Sequence, residues 1–518
     1  LYGAKAGTSK NTATGPAAAH IYETAGTYTA TLTINNGTTS TTTTQTITVT
    51  AADTQFVGAA TVCISTTTSF TGCPAGATQV PNIADLPTAL GYISSTVKRV
   101  LLHRGETFTA STASNITQAG PGLIGAYGTG AKPFVQVTGD GHSTIAFNTG
   151  DDWRVMDMAF DAIGTTSSNG IRLLDRKQIT ILRVDVTNTD AAFATSDASI
   201  PNADQLTIQD STSNGINNGA GHVNVWILSE RFAFQGNHID NTRPATGVAG
   251  GEHVLRAPKI TKGVISNNDI WNPQNFDLSS GKHCIDLHSA SRGVGNPAPW
   301  DGTYSEQVVI ADNILQGGVA TPWDIHIGSQ ATSHDERLRN IIVERNYFSA
   351  AAGNNLAVNI VNTVGTTVRN NIMNIGTSGT GMGVSVNPGE LGPPSDLTYI
   401  YNNTFYSTYV PNNNRVLAVS TSVDSLTTTI RNNVLVAPND TNSFITYGNG
   451  LAVISDHNLV AYNQPASNVF VSATPTLPAH FALKAGSPAI GAGTPVPVWD
   501  DYIKATRVSP WSVGAYKF

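Results

Sequence analysis

The sequence repeats itself around one asparagine. From about residue 97 onward short apolar runs recur, many ending in the pattern apolar-x-x-Asn-x-apolar or a close variant. Val264-Ile265-Ser266-Asn267-Asn268-Asp269-Ile270, Val309-Ile310-Ala311-Asp312-Asn313-Ile314 and Ile342-Val343-Glu344-Arg345-Asn346-Tyr347-Phe348 are examples. Along Asn237, Asn268, Asn313, Asn346, Asn371, Asn403, Asn433 and Asn458 the intervals are 31, 45, 33, 25, 32, 30 and 25 residues. One coil of a parallel β-helix plus a variable loop takes that much chain. Leucine-rich repeats are shorter and more regular, and propeller blades need about 40 residues each. An Asn that returns at one turn stacks into an amide ladder, each side chain bonding the next coil. We read these residues as structural, not catalytic.

Composition agrees. Charged residues make up 12% of the chain, against roughly 25% in an average soluble domain. Mean hydropathy is −0.09, and no stretch approaches the roughly 20 apolar residues of a spanning helix. Disorder is excluded as well, because 40% of residues are hydrophobic and the net charge is only −7, whereas disordered chains combine low hydrophobicity with high charge. Thr, Ser, Asn and 49 glycines replace the missing charge; they suit strands and turns better than helix surfaces. The fold expected is all-β. With 28 basic and 35 acidic residues there is no basic field for nucleic acid. The sequence starts at Leu1, which we read as a processed or truncated chain.

Three segments follow. Residues 1–52 hold a hairpin signal: an alternating run Thr27-Tyr28-Thr29-Ala30-Thr31-Leu32-Thr33-Ile34, an Asn35-Asn36-Gly37 turn, and a Thr-rich strand ending at Val49. With His20, Tyr22, Gly26, Tyr28 and Leu32 in its spacing, this stretch resembles the second half of a PKD-type immunoglobulin-like domain. It is expected as an incomplete β-sandwich, open to strands from another molecule. Residues 53–95 are expected to be a connector with a capping helix: Asp85 starts it, and Leu86, Ala89, Leu90 and Ile93 share one apolar face. Cys63 and Cys73 lie close enough to close a small loop. We read them as a disulfide, with two free thiols as the alternative; a disulfide implies an oxidising, extracellular or cell-surface setting.

Residues 96–518 are expected to form the β-helix. Val97-Lys98-Arg99-Val100 leading into Leu101-Leu102-His103-Arg104-Gly105-Glu106-Thr107-Phe108, the run Gly120-Pro121-Gly122-Leu123-Ile124-Gly125, and the terminal Leu483-Lys484-Ala485-Gly486-Ser487-Pro488 with Val513-Gly514-Ala515-Tyr516 resemble right-handed parallel β-helix proteins of the pectate-lyase-like superfamily. That scaffold carries lyases, hydrolases, epimerases, tailspikes and adhesins, so the resemblance does not choose among them.

Aligning the coils locates a candidate site. In Val225-Trp226-Ile227, Leu255-Arg256-Ala257, Ile285-Asp286-Leu287, Ile325-His326-Ile327 and Val358-Asn359-Ile360, strand alternation sends the middle residue outward. Trp226, Arg256, Asp286, His326 and Asn359 then form one column. Two residues earlier the same rule gives Asn224, Val254, Cys284 and Asp324; two earlier again, His222, Glu252 and Lys282; two later, Leu228, Pro258 and His288. His253 and His283 are expected to point inward, as hydrogen-bonded core histidines.

Such a patch suits an acidic polysaccharide. Trp226 would stack on a sugar, and Arg256 or Lys282 would neutralise a uronate carboxylate. Lys282, His288 or His326 would remove the acidified C5 proton for β-elimination. Asp286 belongs to the same catalytic set, and Glu252, Asp324, Asn359 and Trp300 are candidate substrate contacts. Gly251-Glu252-His253-Val254-Leu255-Arg256 is similar to a segment of β-helix lyases of alginate and dermatan that use a Lys base with an Arg. Their downstream Lys/Arg pattern does not carry over, so no role is transferred. The bland reading is a ladder of outward salt bridges, Arg256–Asp286 and Glu252–Lys282, contributing about 0–1 kcal/mol each. A glycoside hydrolase ranks next, with Asp286 and Asp324 as its carboxylates; a non-catalytic fibre or adhesive subunit assembling through the N-terminal module is the alternative from another class. No cofactor is expected: Ca²⁺ would need more converging carboxylates, and the histidines lack zinc spacing within any one coil.

Overall fold

The computed structural model describes residues 10–35, 39–163, 168–195, 203–216, 223–240, 253–272, 283–289, 300, 302–317, 323–329, 334–349, 356–375, 382–387, 391–408, 417–422, 425–440 and 444–518. Among them the chain winds into a right-handed parallel β-helix. One face is a 13-stranded sheet running from Thr107–Ala110 to Leu459–Tyr462, each strand hydrogen-bonded to its equivalent one coil away. A 25-stranded sheet and a short three-stranded one, Ser305–Glu306, Leu338–Arg339 and Thr363–Val364, make the other sides. Between them one continuous apolar core extends from Val62 to Ile445.

The asparagine ladder holds the coils in step. Each side-chain oxygen accepts both the backbone N–H and the side-chain amide of the Asn before it: Asn268 Oδ1 from Asn237 at 2.9 and 3.1 Å, Asn313 Oδ1 from Asn268 at 3.0 and 2.9 Å, and so on to Asn458. The residue before each rung is left-handed, as at Asn267 (φ 57°), Asp312 (58°), Asn370 (55°), Asn402 (54°) and Asn432 (59°). Asn and Asp tolerate that conformation, which accounts for the repeated Asn-Asn and Asp-Asn pairs. One Asn turns the chain and the next bonds the neighbouring coil.

The first coil begins earlier than the sequence suggests. Thr61–Ile64 pairs in parallel with Arg99–His103, so the stack starts inside the 53–95 segment. The capping helix spans Leu86–Leu90; Asp85 accepts the Thr88 N–H at 2.8 Å, and Leu86, Ala89 and Leu90 close the end of the core. A disulfide joins Cys63 to Cys73.

N-terminal to this, Gly26–Asn35 and Ser40–Val49 form an antiparallel hairpin, largely exposed. The Asn36-Gly37 turn lies outside the described residues. The chain leading to the hairpin lies along the β-helix: Ala17 packs on Val264, Val309 and Ala311, Lys10 pairs with Asp210, and Thr14 bonds Glu344 and Arg345. Arg345 is fully buried and also meets Asp312 and Asp500, tying the C-terminal segment to the same flank.

Candidate functional site

Backbone pairing sets Trp226 opposite Arg256, Arg256 opposite Asp286, Asp286 opposite His326, and His326 opposite Asn359; Ser385 continues the column. Five consecutive coils therefore present an indole, a guanidinium, a carboxylate, an imidazole and an amide at the coil spacing of about 4.8 Å.

Flanking positions depart from strict alternation: two consecutive residues turn inward, Val254 with Leu255 and Cys284 with Ile285 at a bend before the strand, and Ala357 with Val358 within one. Asp324 occupies the same corner. It is 2% exposed, with Cys284 Sγ donating to its Oδ1 at 3.8 Å, so it is an interior group and not an outward substrate contact. Burial pushes its carboxyl up to about 8. The compensating shift turns His253 and His283 outward. His253 Nε2 lies 3.2 Å from Asp286 Oδ2, and the rings of His253, His283 and His326 stack at centroid separations of 4.9 and 5.0 Å. Both are buried and hydrogen-bonded, as expected of core histidines, but they pack against Asp286 and His326 and not among the apolar residues.

Hydrogen-bond partners assign the protons on these rings. The His283 backbone N–H donates to His253 Nδ1 at 3.1 Å, so His253 carries its proton on Nε2, 3.2 Å from Asp286 Oδ2. His288 faces oxygen on both sides, Gly328 O 2.8 Å from Nδ1 and Asp286 Oδ2 2.7 Å from Nε2. It donates from both nitrogens as an imidazolium. His326 Nδ1 accepts from Asn359 Nδ2 at 3.0 Å, and its Nε2 faces Ser329 O at 3.3 Å. His283 Nδ1 lies 3.0 Å from Trp323 O, which places its proton there and leaves Nε2 without a hydrogen-bond partner among the described residues.

Electrostatics follow this pattern. Burial opposes charge on Asp286, but His253, His288 and His283 outweigh it and hold the carboxyl well below its ordinary range. Burial also opposes charge on His288, yet Asp286 and then Glu336 raise its pKa. For His253, His283 and His326 burial wins over Asp286: His253 falls well below the ordinary imidazole value, His326 falls below it, and His283 drops to about 3.

Three buried polar atoms here have no hydrogen-bond partner among the described residues: Trp226 Nε1, Arg256 Nε and Asp286 Oδ1. Arg256 Nε is 3.6 Å from Asp286 Oδ2, an ion pair without a hydrogen bond, and its guanidinium carbon lies 5.0 Å from the Trp226 ring centroid. One face of that indole is thus shared with a cation. Glu336, two residues before the strand Leu338–Arg339, is fully buried; it accepts the Ser289 N–H at 2.9 Å and lies 3.6 Å from His288 Nδ1. Trp300 sits in a separate aromatic cluster beside Tyr304, with Arg337 at 4.1 Å over its ring. Lys282, Glu252 and His222 lie outside the described residues.

Two sets of side chains converge closely enough to hold a cation: His253, His283 and Asp286, and Asp286, His288 and His326, each with ligand atoms within 4.8 Å. Stacking of coils achieves what spacing within a coil does not. As hydrogen-bonded, however, His253 and His288 present N–H toward Asp286, and both His326 nitrogens are engaged. Neither set offers three lone pairs.

Comparison with known proteins covers the two parts separately. Residues 3–49 match the PKD domain family. None of the curated proteins compared with the chain matches it. Among solved structures, a lacto-N-biosidase from Eubacterium ramulus aligns at 11% identity and TM-score 0.44 over 78% of this chain and 68% of that one. The A-module of a mannuronan C-5 epimerase from Azotobacter vinelandii aligns at 12% and 0.41, over 70% of this chain and 90% of its own. The Dettilon tailspike protein aligns at 12% and 0.46, over 73% and 67%. At such identities the likeness is one of fold alone.

Proposed function

We propose that this chain is an exported polysaccharide lyase that cleaves a uronate-containing polymer by β-elimination. The observation that carries the reading is the unsatisfied trio at the centre of the column. Trp226 Nε1 and Arg256 Nε are two donors without acceptors, and Asp286 Oδ1 is an acceptor without a donor. Buried polar groups are normally paired, and a sugar acid supplies the complement: a carboxylate for the donors and a hydroxyl for the acceptor. Arg256 bound to the carboxylate withdraws charge and acidifies C5. An imidazole of the cluster takes the C5 proton, the electrons form the C4–C5 double bond, and the C4–O bond breaks.

A hydrolase needs two carboxylates flanking the scissile bond. Asp324 faces the interior, and His288 stands between Asp286 and Glu336, an arrangement that favours the lyase. Export is supported by the disulfide and by the PKD match. The test is incubation with alginate, pectate and glycosaminoglycans while following ultraviolet absorbance of the unsaturated product. Absence of signal on every acidic polymer refutes the lyase.

One observation favours a fibre subunit instead: Leu32 and Ile34 of the hairpin are 56% and 65% exposed, an apolar strand face open to another molecule. Light scattering that finds only monomer removes this reading.

A further inference from the structure

We infer that His283 Nε2 is the base that removes the C5 proton, oriented by the carbonyl of Trp323. This assignment rests on the lyase reading and sharpens it, because neither imidazole expected from the sequence has a lone pair to offer. His288 donates from both nitrogens to Gly328 O and Asp286 Oδ2. His326 accepts from Asn359 on one side and donates toward Ser329 O on the other. His253 accepts the His283 backbone N–H at Nδ1, and its protonated Nε2 lies 3.2 Å from Asp286 Oδ2. Among the described residues, His283 alone of these imidazoles keeps a nitrogen with no hydrogen-bond partner: its Nδ1–H is spent on Trp323 O at 3.0 Å. A backbone carbonyl holding one ring nitrogen fixes the tautomer and the direction of the other.

Burial, His326 and His288 oppose charge on His283, while Asp286 and the Trp323 carbonyl favour it. His283 is sandwiched between His253 and His326, each neutral, and lies within the field of the Asp286 carboxylate. His288 and Arg256 approach the same Asp286 oxygen, Oδ2, as His253 does. Burial keeps the free base unprotonated, and Asp286 stabilises the imidazolium once the proton arrives. In the step, the C5–H bond breaks and the proton passes to Nε2. The C5 electron pair forms the C4–C5 double bond, the C4–O4 pair leaves with oxygen, and O4 takes a proton from water. His283 then returns its proton to solvent.

The experiment uses the full chain and the acidic polymer on which the wild type is active. His283→Ala should lose about 100-fold or more in kcat, the range for a general base, with KM changed less than about threefold. Added imidazole should restore part of the rate, which a merely structural defect would not allow. Should His283→Ala fail to fold by circular dichroism, His283→Gln and the wild-type pH profile decide the matter. A neutral base of lowered pKa keeps kcat/KM level from neutrality down to about pH 5, whereas a lysine base, with an ordinary pKa near 10.4, gives a rate that climbs through the alkaline range. Near-normal turnover by a folded His283 variant, loss without imidazole rescue, or an alkaline-rising profile overturns the assignment and leaves the lyase standing. Failure of the wild type on all uronate polymers overturns both.

Discussion

Asp324 offers a direct test of how the corner is folded. Its carboxyl is buried within the coil, beside the Cys284 thiol, with a pKa of about 8. In the unfolded chain an Asp ionises near 3.9. A group whose folded pKa is raised contributes its full stability below the unfolded pKa and loses it as pH rises through the folded one. The window for Asp324 is therefore about pH 4 to 8. Each pH unit within it changes stability by about 1.4 kcal/mol, so between about pH 4.5 and pH 7.5 this one carboxyl removes about 4 kcal/mol. Asp324→Asn keeps the shape and does not titrate. Its stability relative to wild type should rise by about 3–4 kcal/mol between those two pH values, whatever fixed penalty the amide carries. Urea unfolding followed by fluorescence at both pH values gives the double difference, from which pH-independent packing effects cancel. A double difference within about 1 kcal/mol of zero would mean that Asp324 is ionised or solvated in the fold, and that the inward corner is wrong.

Other expectations follow from the same contacts. Asn313→Ala removes the acceptor of Asn268 N–H and Nδ2 and the donor to Ile265 O. Leaving those buried groups unpaired should destabilise by about 2–4 kcal/mol, read as a shift in the unfolding midpoint. Asn313→Ser should lose less, since Ser211 fills the equivalent rung, its N–H bonding Asn237 Oδ1 and its Oγ the Val184 N–H. Arg256→Lys keeps the charge but not the planar Nε–H, and should lower kcat/KM by about tenfold, mainly through KM; equal KM values would remove Arg256 from carboxylate binding. Asp286→Asn deprives the His288 imidazolium of its partner and should cost about 3–5 kcal/mol at neutral pH. Because the folded pKa of Asp286 is depressed, its contribution is present above its unfolded pKa and fades as pH falls. The gap between wild type and variant should therefore narrow below about pH 4; a gap independent of pH in acid denaturation would contradict the ion pair.

The column was legible because two independent periodicities fix it. The ladder marks each coil once, and alternation over a three-residue strand then gives direction, so Trp226, Arg256, Asp286, His326 and Asn359 fall into line from the sequence alone. Alternation holds only while the backbone is extended. Next to this strand two neighbours turn inward together, and extending the rule across them sends Asp324 to the surface and places the buried His253 and His283 among the apolar residues instead of beside Asp286. A signal was present: His253 and His283 are 30 residues apart, as are Arg256 and Asp286, so they occupy the same place in adjacent coils. Two inward imidazoles stacked on each other would each need a polar partner from an apolar core, whereas two outward ones can share the Asp286 carboxylate. Thr61–Ile64 escaped for a related reason, because the first coils carry no ladder Asn; the series starts only at Asn237. Glu336 lies in residues 331–339, which interrupt the repeat beside the column, and a segment outside the repeat gives no register from which its contact with His288 could be read. A solenoid's repeat thus reports which residues stack, while the orientation of those at corners depends on where each side chain finds its hydrogen bonds. That is why the imidazole with a nitrogen unpartnered among the described residues emerges only once the donors and acceptors around all four rings are counted together.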